Sequence, residues 1–191
     1  MEGSLADALT LTNEPTLVVQ ARAGNQEAFA ELVRRHGAQA YRIAFALLRN
    51  RSDAEDVVQD AFLTAFRLLA TLKDPSAFRS WLNRIVVNRS RDLLRRRRQE
   101  QESIPLLGQS MVNDSLPGRQ IERTVALGQA IDSLPELHRL VILLYYSQGY
   151  STGEIAETID RPPGTVRRIL SEAYKMLHSA LGKGRFIHDM R

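Results

Sequence analysis

The sequence predicts an all-α protein: two small helical domains joined by a flexible linker, the C-terminal one containing a helix-turn-helix. Three observations carry this expectation. No stretch of the 191 residues sustains the apolar–polar alternation of a strand. Apolar residues recur instead at three- and four-residue spacing, the period of a helix face. The pattern Ser-x-x-Glu, which lets a serine and a glutamate satisfy the free amides of a first helical turn reciprocally, occurs as Ser52/Glu55, Ser133/Glu136 and Ser151/Glu154.

The elements follow in order. Asn25 can cap a helix running to about Leu47, and Ser52 opens a second to about Leu69, in which Val58, Phe62, Ala65, Phe66 and Leu69 form an apolar stripe. Pro75 fits the first turn of a third helix, which carries Trp81, Ile85 and Leu93 toward the run Arg95-Arg96-Arg97-Arg98. Residues 99–120 hold Pro105, Gly108, Pro117 and Gly118 among polar residues and show no period. So long a structureless stretch reads as a linker, which when taut reaches roughly 70 Å. Residues 121–181 contain four short helical patterns, at about 122–132, 135–147, 152–159 and 162–181. Gly149 ends the second, and Asp160-Arg161-Pro162-Pro163-Gly164 turns the third into the fourth. The expected organisation is a short N-terminal segment (1–20), a helical domain (21–98), the linker (99–120), a helix-turn-helix domain (121–181) and a basic tail (182–191).

Composition removes several classes of function. Hydrophobic residues at 43% and charged residues at 25% are globular values and exclude wholesale disorder. The chain has no cysteine, which excludes disulfides, thiolate zinc sites and cysteine nucleophiles. The longest apolar stretches, such as residues 141–146, fall short of the ~20 residues of a membrane span. Met1-Glu2-Gly3 is not followed by a basic region and an apolar run, so a cytoplasmic protein is expected. His36, His138, His178 and His188 are scattered, with no nucleophile, phosphate loop or metal-ligand spacing beside them. An enzyme, a metal and a cofactor are therefore not expected.

Charge is segregated along the chain. Residues 73–98 carry nine basic side chains against two acidic (+7), residues 99–160 three against nine (−6), and residues 161–191 seven against two (+5). Two basic blocks fit two polyanion-binding surfaces as well as solvated helix faces. In the second block, a short capped helix, a tight turn and a longer basic helix form the arrangement that places its second helix in the major groove. Val166, Ile169, Leu170, Ala173 and Leu177 occupy its packing side, leaving Thr165, Arg167, Arg168, Ser171, Glu172 and Lys175 for base edges and phosphates. In the first block, Arg79, Arg84, Arg89, Arg91 and the arginine run can neutralise phosphates, and Asn88 can read a base edge. Phe78 and Trp81 offer aromatic faces, a combination suited to single strands, although a core position for Trp81 is the simpler reading. Asp53, Asp56 and Asp60 recur at i, i+3 and i+7 with Gln59 beside them, on the side away from the apolar stripe. Such a face can meet a basic protein, bind a metal, or simply be solvated near a helix N-terminus.

Three motifs in order resemble one family. Asp53-Ala54-Glu55-Asp56-Val57-Val58-Gln59-Asp60-Ala61-Phe62 resembles the polymerase-binding signature of bacterial sigma factors. Phe78-Arg79-Ser80-Trp81-Leu82-Asn83-Arg84-Ile85-Val86-Val87-Asn88, with Asp92-Leu93-Leu94-Arg95-Arg96, is similar to their promoter-melting helix. Leu134-Pro135-Glu136, Tyr150-Ser151-Thr152-Gly153-Glu154-Ile155-Ala156 and Pro163-Gly164-Thr165-Val166-Arg167 resemble their reader of the upstream promoter element. The order and the linker are similar to those of the extracytoplasmic-function (ECF) sigma factors, and the resemblance covers about residues 21–181.

The resemblance implies roles residue by residue. Asp56, Gln59 and Asp60, with Asp53 beside them, match positions that bind the β′ clamp helices of core RNA polymerase. Asn88 and the loop before the helix, with Lys73 and Ser76, match the region that takes a flipped base of the −10 element, and Arg79, Trp81, Arg84, Arg91 and Arg95 belong to the same DNA-facing segment. Thr165, Arg167, Arg168 and Ser171 match the −35 reading helix, extended here by Glu172 and Lys175. The family also implies contact with the polymerase β flap, and an anti-sigma factor able to hold the protein at the inner membrane without insertion. Ile169, Glu172 and Tyr174 stand where similar proteins usually carry basic residues. Fewer phosphate contacts flatten the salt dependence of binding, and a −35 sequence unlike the family's common one is expected. The rival expectation is a stand-alone helix-turn-helix regulator, which leaves the acidic face and the Trp81–Asn88 helix without a task.

Overall fold

The computed structural model describes residues 13–102 and 119–181, with side chains over 13–100 and 126–181. Most of the expected linker, the first part of the N-terminal segment and the tail lie outside the described residues. Among the described residues there is no strand. The helices are α1 (Glu14–Arg22), α2 (Gln26–Leu48), α3 (Arg51–Leu68), α4 (Phe78–Glu102), α5 (Arg119–Asp132), α6 (Glu136–Ile142), α7 (Thr152–Ile159) and α8 (Pro163–Leu181).

Asparagine, more than serine, starts the helices of the first half. The Asn13 side chain accepts the Thr16 amide at 2.9 Å and that of Asn25 accepts the Ala28 amide at 3.1 Å, opening α1 and α2. Asn50 does the same for α3 by accepting the Asp53 amide, so the expected Ser52 cap is corrected: the helix begins one residue earlier and Ser52 sits inside its first turn. Arg49 enters the left-handed region (φ 54°) to end α2, and this sharp reversal places Asn50 at the start of α3. The short helix α1, which apolar periodicity did not announce, buries Leu17, Val18 and Ala21 against α2. Asp74 caps the 3-10 turn Pro75–Ala77 that leads into α4. With a rise of 1.5 Å per residue, this 25-residue helix is about 37 Å long, and it absorbs the arginine run and the first residues of the expected linker.

In the second half, Ser151 and Glu154 form the complete capping box that the sequence predicts at α7. The Ser133/Glu136 box does not form: the Ser133 hydroxyl donates to the Ala130 carbonyl, and α6 starts after Pro135 without a side-chain cap. The single helix expected over residues 135–147 is α6 continued by a π turn, Leu143–Ser147, which Gly149 (φ 67°) ends in a conformation that favours glycine. Ser151→Ala should therefore lower unfolding stability by about 1 kcal/mol in a denaturant titration, and Ser52→Ala by less than about 0.5 kcal/mol.

The two halves pack directly on each other. One buried cluster runs from Leu17, Leu32, Ile43, Phe62, Phe78 and Leu82 of the first half to Leu140, Leu144, Tyr150, Ile155 and Ile159 of the second. A smaller cluster of Ala130, Leu134, Ile142, Ala173 and Leu177 fixes α5 on α6 and α8. The buried Arg139 ties the halves through backbone carbonyls: its Nε donates to Ala46 at 2.6 Å and its Nη1 to Asp132 at 2.8 Å. Arg49 pairs with Asp132 beside it, and Arg98 lies 3.4 Å from Glu136.

Candidate functional site

The acidic face stands on α3. Asp56, Gln59 and Asp60 are exposed on neighbouring turns, and Asp56 and Asp60 form no ion pair among the described residues. Asp53 is different. Its side chain is 14% exposed and its carboxylate grips the guanidinium of Arg97 from both sides, at 2.5 and 2.6 Å. Asp53 is therefore a strut between α3 and α4, and one arginine of the expected polyanion contact is engaged within the protein. Next to Gln59 lies a shallow apolar groove lined by Phe29, Val33, Tyr41, Phe62, Leu63 and Phe66. Phe66, placed in the core stripe by its spacing, is 49% exposed and meets Phe29 edge-on at 5.0 Å. Leu63 beside it is 48% exposed, and sequence periodicity gave no reason to single it out.

The basic helix α4 sets Trp81, Arg84, Asn88, Arg91 and Arg95 at successive spacings of three, four, three and four residues, so they share one stripe. Arg84, Asn88 and Arg95 are exposed, whereas Trp81 is half-buried against the core with Phe78 at 6.0 Å. Arg91 is half-buried too, and its Nη1 donates to the Ile159 carbonyl at 3.0 Å. Burial pushes its guanidinium pKa down, and the neighbouring Arg161 charge adds to that shift. Arg84 lies 3.7 Å from Asp160. Arg79 stands off the stripe, 4.3 Å above the ring of Tyr150 and 3.6 Å from Glu154. In the loop before the helix Lys73 and Ser76 are exposed, and the Ser76 hydroxyl donates to Asp74 at 2.7 Å. The three members of the expected −10 set that lie on the inner edge of α4 thus already contact the second half of the protein.

On α8, Arg167, Ser171 and Lys175 are exposed along the outer side with Arg168, and Thr165 is half-buried in the first turn. Glu172 bridges His138, 3.1 Å away, and Arg168, 2.8 Å away. The His138 hydrogen bond, chiefly, holds the Glu172 carboxyl below its ordinary pKa. Both polar partners of Glu172 belong to the protein, so its carboxylate orients Arg168. Ile169 is core, 3% exposed, and is not a position where DNA is met. Tyr145, Tyr146 and Tyr174 form an exposed aromatic patch, and burial with the two neighbouring phenols raises the pKa of Tyr146. The paired tyrosines at 145 and 146 were the only sequence signal for it.

Among the described residues no His/Cys/Asp/Glu group could hold a metal ion and no helix is long and apolar enough to cross a membrane. Family models for sigma-70 region 2 and sigma-70 region 4 match residues 32–100 and 124–177. The ECF RNA polymerase sigma factor SigM of Mycobacterium tuberculosis is 36% identical over 160 residues, spanning 84% of this chain and 80% of that protein. The RNA polymerase sigma factor CnrH of Cupriavidus metallidurans is 34% identical over 154 residues, spanning 75% of this chain and 81% of that protein. A solved structure of CnrH in complex with the cytosolic domain of CnrY gives a TM-score of 0.65 at 30% identity, covering 90% of this chain and 99% of that one. Fold and matched regions define the class, a sigma-70-type initiation factor with regions 2 and 4. The chain belongs to the ECF RNA polymerase sigma factors, which are transcription initiation factors and not enzymes.

Proposed function

We propose that this protein docks on core RNA polymerase through Asp56, Gln59 and Asp60, reads a −35 duplex with α8, and captures the melted −10 strand along α4. The observation that carries the reading is the α4 stripe, where an exposed asparagine lies between arginines at helical spacing. Lost base stacking, on the order of 1 to 2 kcal/mol per step, is compensated by a pocket at Asn88, by phosphate contacts of Arg84, Arg91 and Arg95, and by the polymerase. On α8, Arg167 and Lys175 supply phosphate or base contacts and Glu172 holds Arg168 in place. The aromatic patch of Tyr145, Tyr146 and Tyr174 suits the β flap as an apolar partner surface. An anti-sigma factor is part of the same reading, supported by the related CnrH, whose structure is a complex with the cytosolic domain of CnrY.

Run-off transcription with purified bacterial core polymerase on a library of random promoters tests the reading. Transcripts that depend on this protein and share two spaced motifs support it. A duplex motif selected without polymerase, and no transcripts, favours the stand-alone regulator. Arg167→Ala should relax the preference at one position of the upstream motif and cost about 1–3 kcal/mol if the residue reads a guanine, as a library repeated with the variant will show.

A further inference from the structure

The contacts that join the two halves fall on the DNA-facing side of α4. Tyr150, which precedes α7, is 2% exposed, and its hydroxyl is satisfied by the first half: Gln39 Nε2 donates to it at 3.2 Å and the Asn83 side-chain amide donates from α4. Asn83 is itself 1% exposed, so each of these buried polar groups depends on the other half of the chain. Around this plug, carboxylates and a carbonyl of the second half meet the basic helix: Glu154 at Arg79, Asp160 at Arg84, and the last carbonyl of α7 at Arg91. The Ile159 carbonyl is an unsatisfied helix-end acceptor at the negative end of the helix dipole, and the Arg91 guanidinium supplies both the donor and the charge. The acidic block of the sequence thus sits where phosphates would approach the basic one.

We infer that this seam is a self-inhibitory latch, in which Tyr150 seats α7 on α4 and Glu154, Asp160 and the α7 C-terminus occupy Arg79, Arg84 and Arg91 in place of DNA. The inference rests on the proposed −10 role of α4. An arginine donating to Ile159 cannot at the same time grip a phosphate, so strand capture requires α7 to leave. Affinity for single strands is therefore reduced by the fraction of chains that are closed. The seam suits such release, because its rim is ionic and its central hydroxyl is readily solvated once exposed.

The chain has no cysteine, so labels at Ala70→Cys and Ser179→Cys, both exposed and one in each half, report the separation of the halves by energy transfer in the full-length protein. Tyr150→Phe with Asp160→Asn removes the hydroxyl and one rim charge, retains the ring, and leaves a residue that tolerates the left-handed backbone at 160 (φ 54°). The expected result is high transfer in the unmodified chain, lower transfer in the double variant at unchanged helicity, and about fivefold tighter binding of a mixed-sequence single-stranded 12-mer, the scale of one or two lost hydrogen bonds. Low transfer in the unmodified chain overturns the latch. So does opening without a gain in 12-mer affinity. Adding Asn88→Ala and Arg95→Ala to the opened variant separates the two readings: retained 12-mer binding refutes the assignment of strand capture to the α4 stripe, while the transfer efficiencies still decide the latch.

Discussion

Asp56→Arg combined with Asp60→Arg should abolish binding to core RNA polymerase, by at least about a hundredfold, and leave the circular dichroism spectrum unchanged. Each substitution replaces attraction to a basic partner by repulsion, and like charges facing across an interface cost several kcal/mol. Both side chains are exposed and without ion-pair partners among the described residues, so the fold loses nothing when they are reversed. Asp53→Arg is the informative contrast. It breaks the bidentate pair with Arg97 and leaves that guanidinium without its partner, so it should lower thermal stability as well as binding. Co-purification with core polymerase beside a melting curve distinguishes the two. Retained binding in the double variant removes the acidic face from the polymerase contact.

Asn88→Ala should cut open-complex formation on a duplex promoter about tenfold or more while leaving duplex binding by α8 unchanged. The residue is exposed and supports no core contact, so the loss reports on strand capture and not on folding. A site that hydrogen-bonds an extruded base loses both the bond and the compensation for unstacking when the amide is removed. Permanganate reactivity of unpaired thymines, measured beside electrophoretic binding of an upstream duplex, separates the two steps. Equal melting by variant and parent refutes the base pocket.

Much of the architecture was legible because local chemistry and helical period agree. Asn25, the Ser151/Glu154 box, Gly149 and the double proline before α8 all act where the sequence places them. The Ser52 and Ser133 boxes failed for a physical reason: a better acceptor or a proline nearby takes the capping position first. Periodicity could not place Phe66, since a stripe wider than the neighbouring helices leaves an aromatic at its margin half uncovered. The seam was hidden for a different reason. Arg79, Arg84 and Arg91 carry the same signal whether they face a phosphate or a carboxylate, and the segregated charge that pointed outward to nucleic acid also points inward to the acidic block. Asp53 and Arg97 mislead in the same way: both belong to runs whose other members are exposed.

The π turn Leu143–Ser147 makes the chain's length between α6 and α7 a matter of orientation. Its amides reach one residue further back than in an α-helix, with Gln148 donating to Leu143, so one more residue is accommodated before the turn. Deleting a single residue here would let an ordinary helix continue, but every later side chain would be rotated by about 100° about that axis. Tyr150 would then face away from Asn83 while the helix-turn-helix itself stayed intact. A one-codon deletion in this segment is therefore a natural route by which related chains can diverge in how their halves are held, without any change in the residues that touch promoter or polymerase.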